Sequence, residues 1–326
     1  MPTAGGKSTR RKWCKYSLKA VVVVGAFAGL IYLSNPAALV RALSGADYGL
    51  IVAGVLFFFA GQLVAALRWY GIVRTEVRCV TRMEIFGLNL IGTFVGNFIP
   101  GQGGGDLAKS ALLFPKAPDK RAFLLASVIY DRLVGLMTMI LLGGGMMLVL
   151  GMGQGRWGMY LLILLVVAAV LLALALGRKV WQACFRRMCA FPWLARMAHH
   201  IGRFSQELRA LFINGSLFAR CIGLSLVFQI SRALVLWIML RSILPEAQFL
   251  PVIVASPIST LIATLPITFG GLGIREGAFS LLMQKFGQPV DAAAAAALLA
   301  LIPLFISSAI GALLLGLNYR SYVHRG

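Results

Sequence analysis

The chain reads as an all-α polytopic membrane protein. The expected fold has six full spans plus two re-entrant or broken helical hairpins in inverted repeats, with both termini on the cytoplasmic side. Three observations predict this. Hydrophobic residues make up 60% of the 326 residues and charged residues 13%, and mean hydropathy is +0.86. A soluble domain carries about 25% charged residues, so here a bilayer must act as solvent. Next, the net charge of +21 is concentrated in short loops between apolar runs, which is the positive-inside pattern. Finally, one short pattern interrupts an apolar stretch in each half. The first copy is Pro100-Gly101-Gln102-Gly103-Gly104-Gly105-Asp106-Leu107-Ala108-Lys109, and the second is Pro266-Ile267-Thr268-Phe269-Gly270-Gly271-Leu272-Gly273-Ile274-Arg275. In both, Gly-Gly follows the proline by four and five residues, and a cation follows by nine. Proline lacks a backbone donor and glycine tolerates almost any dihedral, so helices end here. Paired interruptions at corresponding positions of two halves point to a transport site.

The elements follow in order. Residues 1–15 form a basic cytoplasmic tail that includes Lys7, Arg10, Arg11, Lys12 and Lys15. The first membrane half covers 16–177. Its apolar run Ala20–Leu33 is read as a retained first span rather than a signal peptide, because everything downstream is also membrane. The second span runs from about Tyr48 to Leu67 and ends at Arg68, and Arg74, Arg78 and Arg82 mark a cytoplasmic loop. Residues 84–114 form the first hairpin. Its second arm, about Asp106–Phe114, is too short to cross a core of about 30 Å. A re-entrant hairpin also keeps Lys116, Lys120 and Arg121 on the same side as the basic stretch Arg178–Arg209, whereas a full crossing would put both outside.

Spans at about Ala122–Leu150 and Met159–Leu176 complete this half. Residues 178–216 form a cytoplasmic linker. Within it Leu194, Met197, Ile201, Phe204, Leu208 and Leu211 recur at three–four spacing, which describes an amphipathic interfacial helix. The second half, 217–318, has a span at about Leu217–Leu240, a hairpin at 252–286 that enters from the opposite face, and a last span at Ala292–Leu317. Residues 319–326 form a cytoplasmic tail.

Several function classes are disfavoured. The basic charge lies in membrane loops and not in a nucleic-acid face. Five irregularly spaced cysteines, all on the cytoplasmic side of this topology, do not make a disulfide framework. Cys184 and Cys189 lack a second ligand pair, and His199-His200 lack metal-site spacing, so neither a metal nor another cofactor is expected. No nucleophile–base constellation occurs at plausible depth. The first glycine-rich loop lacks the Gly-Lys-Ser/Thr ending of a nucleotide loop and follows no strand. The expectation is therefore a protein that is not an enzyme.

The candidate site is built from the hairpin tips. A helix that begins after each break presents unpaired N–H groups and a positive dipole end, which suits an anion. Asn97, Gly104, Gly105, Lys109, Arg132, Arg232, Gly270, Gly271 and Arg275 are assigned to phosphate head-group binding. Asp106, Asp131 and Glu276 are assigned to charge balance or proton coupling. Each of these acids has a basic neighbour in sequence, namely Lys109, Arg132 and Arg275. Charges at mid-membrane cost about 2.5–3.5 kcal/mol and normally face the bundle interior in pairs, so static ion pairing is the alternative role. Asp106 is also a candidate N-cap.

Asn97-Phe98-Ile99-Pro100-Gly101, Gly104-Gly105-Asp106, Lys109, Asp131-Arg132 and Pro266…Gly270-Gly271-Leu272-Gly273-Ile274-Arg275-Glu276 together resemble the flippase-like transmembrane family. That family includes the membrane region of lysylphosphatidylglycerol synthase and has relatives linked to hopanoid lipids and polyprenyl-phosphate sugars. The resemblance covers nearly the whole chain. It implies a bacterial inner-membrane protein that moves or binds lipids. Multifunctional members add a soluble aminoacyl-transferring domain after the membrane part, and this chain stops at Gly326, so that activity is not expected. Many members carry an arginine early in the last span, where this chain has Ala300-Leu301-Ile302-Pro303.

The expected function is translocation or binding of an anionic, phosphate-bearing lipid. The partners are membrane lipids with anionic head groups, and homo-oligomerisation is left open. Rival readings are an ion- or proton-coupled carrier of a small anion, a lipid-binding scaffold, and a membrane-embedded lipid-modifying enzyme.

Overall fold

A computed structural model describes residues 44–97, 103–149, 192–264 and 272–323. Every regular element among them is helical. The helices are α1 (Tyr48–Val73), α2 (Arg82–Gly96), α3 (Gly103–Ala111), α4 (Arg121–Val149), α5 (Pro192–Ile213), α6 (Gly215–Arg241), α7 (Phe249–Ala263), α8 (Ile274–Lys285), α9 (Val290–Leu299) and α10 (Leu301–Val323). Among the described residues four stretches are long and apolar enough to cross a membrane: Tyr48–Val73, Pro118–Met146, Gly215–Arg241 and Val290–Leu317. The spans expected at 20–33 and 159–176, and residues Gly270 and Gly271, lie outside the described residues.

Local chemistry fixes the helix starts. The Asp47 carboxylate accepts from the N–H groups of Gly49 and Leu50 and caps α1. Thr81 caps α2 through Glu84 N–H, and Asn214 caps α6 through Leu217 N–H. The last span breaks at Ala300. Pro303 has no N–H to give the Leu299 carbonyl, so α9 stops and α10 begins again with Pro303 in its first turn.

Two long helices, one from each half, form the centre. α1 and α6 run antiparallel along their whole length. Asp47 N–H donates to the Ser242 carbonyl, Gly54 faces Met239, Gly61 faces Ser231, and Arg68 reaches Ser225. Around this pair the packing is unchanged by exchanging the halves. α2 returns against α3, and α7 returns against α8. The first arm of each hairpin then crosses to the other half, α2 onto α10 and α7 onto α4.

Glycines permit both crossings. A Cβ at Gly311 would lie 2.2 Å from the Leu90 carbonyl oxygen, and one at Gly143 would lie 2.9 Å from Ile258. Gly143 and Gly311 are separated by the same number of residues as Leu90 and Ile258. Small residues at such crossings let backbones approach in a bilayer, where apolar burial drives no association.

Among the described residues the apolar core forms two large plugs and a small cluster around Leu272 and Leu301. One gathers Trp69, Ile85, Leu88, Leu124, Tyr130 and Leu208 around the C-terminal end of α1. The other gathers Met239, Val252, Phe279, Met283 and Ala293 around its N-terminal end. Part of the α5 ridge, expected to meet lipid, meets protein instead. Phe204, Leu208, Leu211 and Phe212 join the first plug, and Phe212 meets the Tyr130 ring edge-on with centroids 4.7 Å apart.

Candidate functional site

Between the two plugs lies a cavity of about 270 Å³. All four central elements reach it: α1 through Gln62 and Arg68, α6 through Phe228, Gln229 and Arg232, the first hairpin through Asn97, Asp106 and Lys109, and the second through Thr264 and Arg275. α4 adds Asp131 and Arg132. Asn97 and Thr264 are the C-cap residues of α2 and α7, so both first arms end at this space. Seven of the assigned site residues line one cavity: Asn97, Asp106, Lys109, Asp131, Arg132, Arg232 and Arg275.

The ion pairs depart from the sequence expectation. Asp131 is paired not with its neighbour Arg132 but with Arg68, whose Nε and Nη2 donate to its two carboxylate oxygens at 2.6 and 2.9 Å. Arg68 also donates to the Ser225 hydroxyl. Both members are buried, Arg68 at 7% exposure and Asp131 at 6%. Helix geometry explains the change. Adjacent residues on a helix point in different directions, so Asp131 faces α1 while Arg132 faces α3.

Arg132 Nε donates to Asp106 Oδ2 at 2.6 Å, and Lys109 Nζ lies 2.8 Å from Asp106 Oδ1. Lys109 is 4% exposed, sits 4.7 Å from the centroid of the Trp69 ring, and lies 4.0 Å from Asp131. Five charged groups on three helices therefore form one chain: Arg68, Asp131, Lys109, Asp106, Arg132.

Other assignments change as well. α3 begins at Gly103, so Asp106 sits inside the first turn and is not the N-cap. Gly104 and Gly105 do not line the cavity. Gly105 serves helix contact, since a Cβ there would stand 1.9 Å from the Gly92 carbonyl oxygen. Glu276 is also absent from the cavity wall. One of its oxygens accepts from Gly273 N–H at 2.7 Å and caps α8, where Gly273 adopts φ +82°. The other accepts from Arg275 Nε and Nη2 at 3.0 and 2.6 Å. The positive end of α8 thus already holds a carboxylate of its own chain.

Arg232 is different. It donates to Thr260 Oγ1 at 2.8 Å and lies 5.8 Å from the Phe228 ring centroid, and it makes no ion pair among the described residues. Asn97 is turned toward the last span, where Nδ2 donates to Ser308 Oγ at 2.7 Å.

The sequence reading missed Arg68, Gln62, Asn89 and Gln229. Arg68 had passed for a span end, although Trp69-Tyr70-Gly71-Ile72-Val73 continues the apolar run beyond it. The amides are polar side chains in apolar spans. Asn89 donates to Gln62 at 2.8 Å, and buried Gln229 has no partner for its Nε2. No group of three or more His, Cys, Asp or Glu able to hold a metal occurs among the described residues.

A helical bundle with several apolar spans and a charged internal cavity defines a multi-pass membrane protein. The chain matches the lysylphosphatidylglycerol synthase TM region over residues 17–311 and belongs to that family. It is also similar to a UPF0104 membrane protein of Methanothermobacter thermautotrophicus, with 24% identity over 322 residues covering 91% of this chain and 94% of the relative.

Proposed function

We propose that this protein takes the head group of an anionic, phosphate-bearing lipid into the central cavity and carries it between leaflets while the tails stay in the bilayer. Arg232 carries this reading. It is a cation in the cavity wall with no carboxylate to balance it among the described residues, and its charged neighbour Arg275 is another cation. Among the described residues five cations and two carboxylates line the space, and Glu276 beside the wall balances Arg275. A phosphate diester brings the missing negative charge and two oxygens that guanidinium groups hold well. The volume falls just below the range of about 300–1,000 Å³ typical of pockets for drug-sized ligands, which suits a head group and not a whole lipid. Membership of a family named for a lipid synthase's membrane region supports a lipid as cargo. The antiparallel α1–α6 pair and the exchanged hairpin arms support inverted repeats, and the basic loops of the sequence support cytoplasmic termini in a bacterial inner membrane. The chain's own part is transport and not catalysis.

The test is movement of fluorescent phosphatidylglycerol in proteoliposomes, read by dithionite quenching. Arg232→Gln/Arg275→Gln should slow it tenfold or more. Charge-assisted hydrogen bonds are worth about 1.5–3 kcal/mol each, and about 1.4 kcal/mol is tenfold. Movement at the wild-type rate in this variant removes the site, and saturable phosphate uptake without lipid movement makes the protein a small-anion carrier.

A further inference from the structure

The four cations assigned to one phosphate site form two groups. Lys109 and Arg132 meet at Asp106, beside the Arg68–Asp131 pair. Arg232 and Arg275 line the same cavity from the second half, and Arg232 donates to Thr260 Oγ1. The α1–α6 register orders them in depth. Lys109 stands over Trp69 and Arg68 faces Ser225, toward the C-terminal end of α1. Arg232 lies one residue beyond Ser231, which faces Gly61. Between these levels are Gln229, buried with an unpartnered Nε2, and the Phe228 ring, 6.0 Å from Arg68 and 5.8 Å from Arg232.

Resting on the phosphate reading above, we propose that the cavity is a two-station anion path, in which the Asp106 carboxylate occupies the second station as a built-in substitute for the guest phosphate. The first station is centred on Arg232 and is open there, with Arg275, held by Glu276, beside it. The second is Lys109 with Arg132 and is filled. Asp106 bridges these two cations with one oxygen each, at 2.8 and 2.6 Å. Two non-bridging oxygens of a lipid phosphate, monoester or diester, can make the same bridge, so carboxylate and phosphate compete for one seat.

Gly105 holds the α3 backbone against Gly92 and Gly96, so Asp106 yields by turning its side chain. Gln229 offers neutral N–H donors on the way. A filled second station keeps buried Lys109 paired when no guest is present, since an unpaired buried charge is costly. Competition also weakens the seat, which lets the guest leave again.

The experiment counts and locates bound phosphate in the full-length protein in detergent, with dihexanoyl phosphatidic acid as lipid probe and inorganic phosphate as the second arm. Native mass spectrometry of the wild type should retain one phosphatidic acid. Asp106→Asn should retain two and bind about tenfold more tightly, because a like charge no longer competes for the seat, and it should move lipid more slowly. A wild-type measurement guards against a variant that does not fold. In protein labelled with 5-fluorotryptophan, the Trp69 fluorine resonance, assigned with Trp69→Phe, should shift on phosphatidic acid addition while that of Trp237 stays.

One lipid in Asp106→Asn with unchanged affinity, or a stationary Trp69 signal in a wild type that moves lipid, overturns the two stations and leaves the lipid reading intact. Absence of both binding and movement in the wild type overturns both. Equal Trp69 shifts with inorganic phosphate alone keep the two stations but make the guest a free anion.

Discussion

Arg68 and Asp131 join α1 to α4 through a pair that neither span could keep alone. Breaking a buried pair by removing one partner leaves an uncompensated charge and costs about 3–5 kcal/mol. Arg68→Ala should therefore lower the melting temperature of the detergent-solubilised protein well below that of Arg241→Ala, whose guanidinium is exposed and donates to the Pro245 carbonyl. The Arg68→Met/Asp131→Leu double substitution should recover part of the loss, and a melt of the double no better than that of the single sinks the pairing. The sequence revealed which residues carry unusual charge, because an acid in an apolar run stands out. It did not reveal the partners. Asp131 finds Arg68 across 63 positions, and that choice depends on which helix faces which. A cation that ends an apolar run also looks like ordinary snorkelling to the interface, which is how Arg68 escaped notice.

Helices α2 and α3 are held together by backbone contact at Gly92, Gly96 and Gly105. In an ordinary helix Gly→Ala gains about 1 kcal/mol of propensity. At Gly105 the added methyl meets a carbonyl oxygen at 1.9 Å, so the sign should reverse. Overpacking costs about 1–3 kcal/mol, and Gly105→Ala should melt earlier than wild type. Gly277→Ala, with nothing within 4 Å of its Cβ, should melt at the same temperature or later. Equal melts for the two would deny the close crossing. The helix ends at Gly96 and Ala263 and the restarts at Gly103 and Ile274 flank the two Pro–Gly stretches that the sequence singles out. The break at Ala300 was not legible, because a proline in an apolar run is tolerated in membrane helices often enough to pass unremarked. The seating of Phe204, Leu208 and Leu211 against protein was not legible either, since an apolar ridge looks the same whether lipid or protein covers it.

For the molecule as a whole, sidedness is open to a direct check. Cys79 is exposed in the loop after α1, and Cys221 is buried. A variant that keeps only these two should be labelled by an impermeant thiol reagent in inside-out vesicles and not in intact cells. Labelling of Cys79 in intact cells would reverse the topology. The antiparallel α1–α6 pair had no sequence signal beyond the repeated break, because register between helices is set by side-chain volume. The glycine seats at Gly143 and Gly311 bear on biosynthesis. The first arm of the early hairpin rests on a helix that is made about two hundred residues later. At about 5–20 residues per second, roughly ten to forty seconds pass between translation of that arm and of its support. During this interval the nascent chain holds charged, half-assembled segments in the lipid phase, so the insertion machinery must shelter them until α10 has been made.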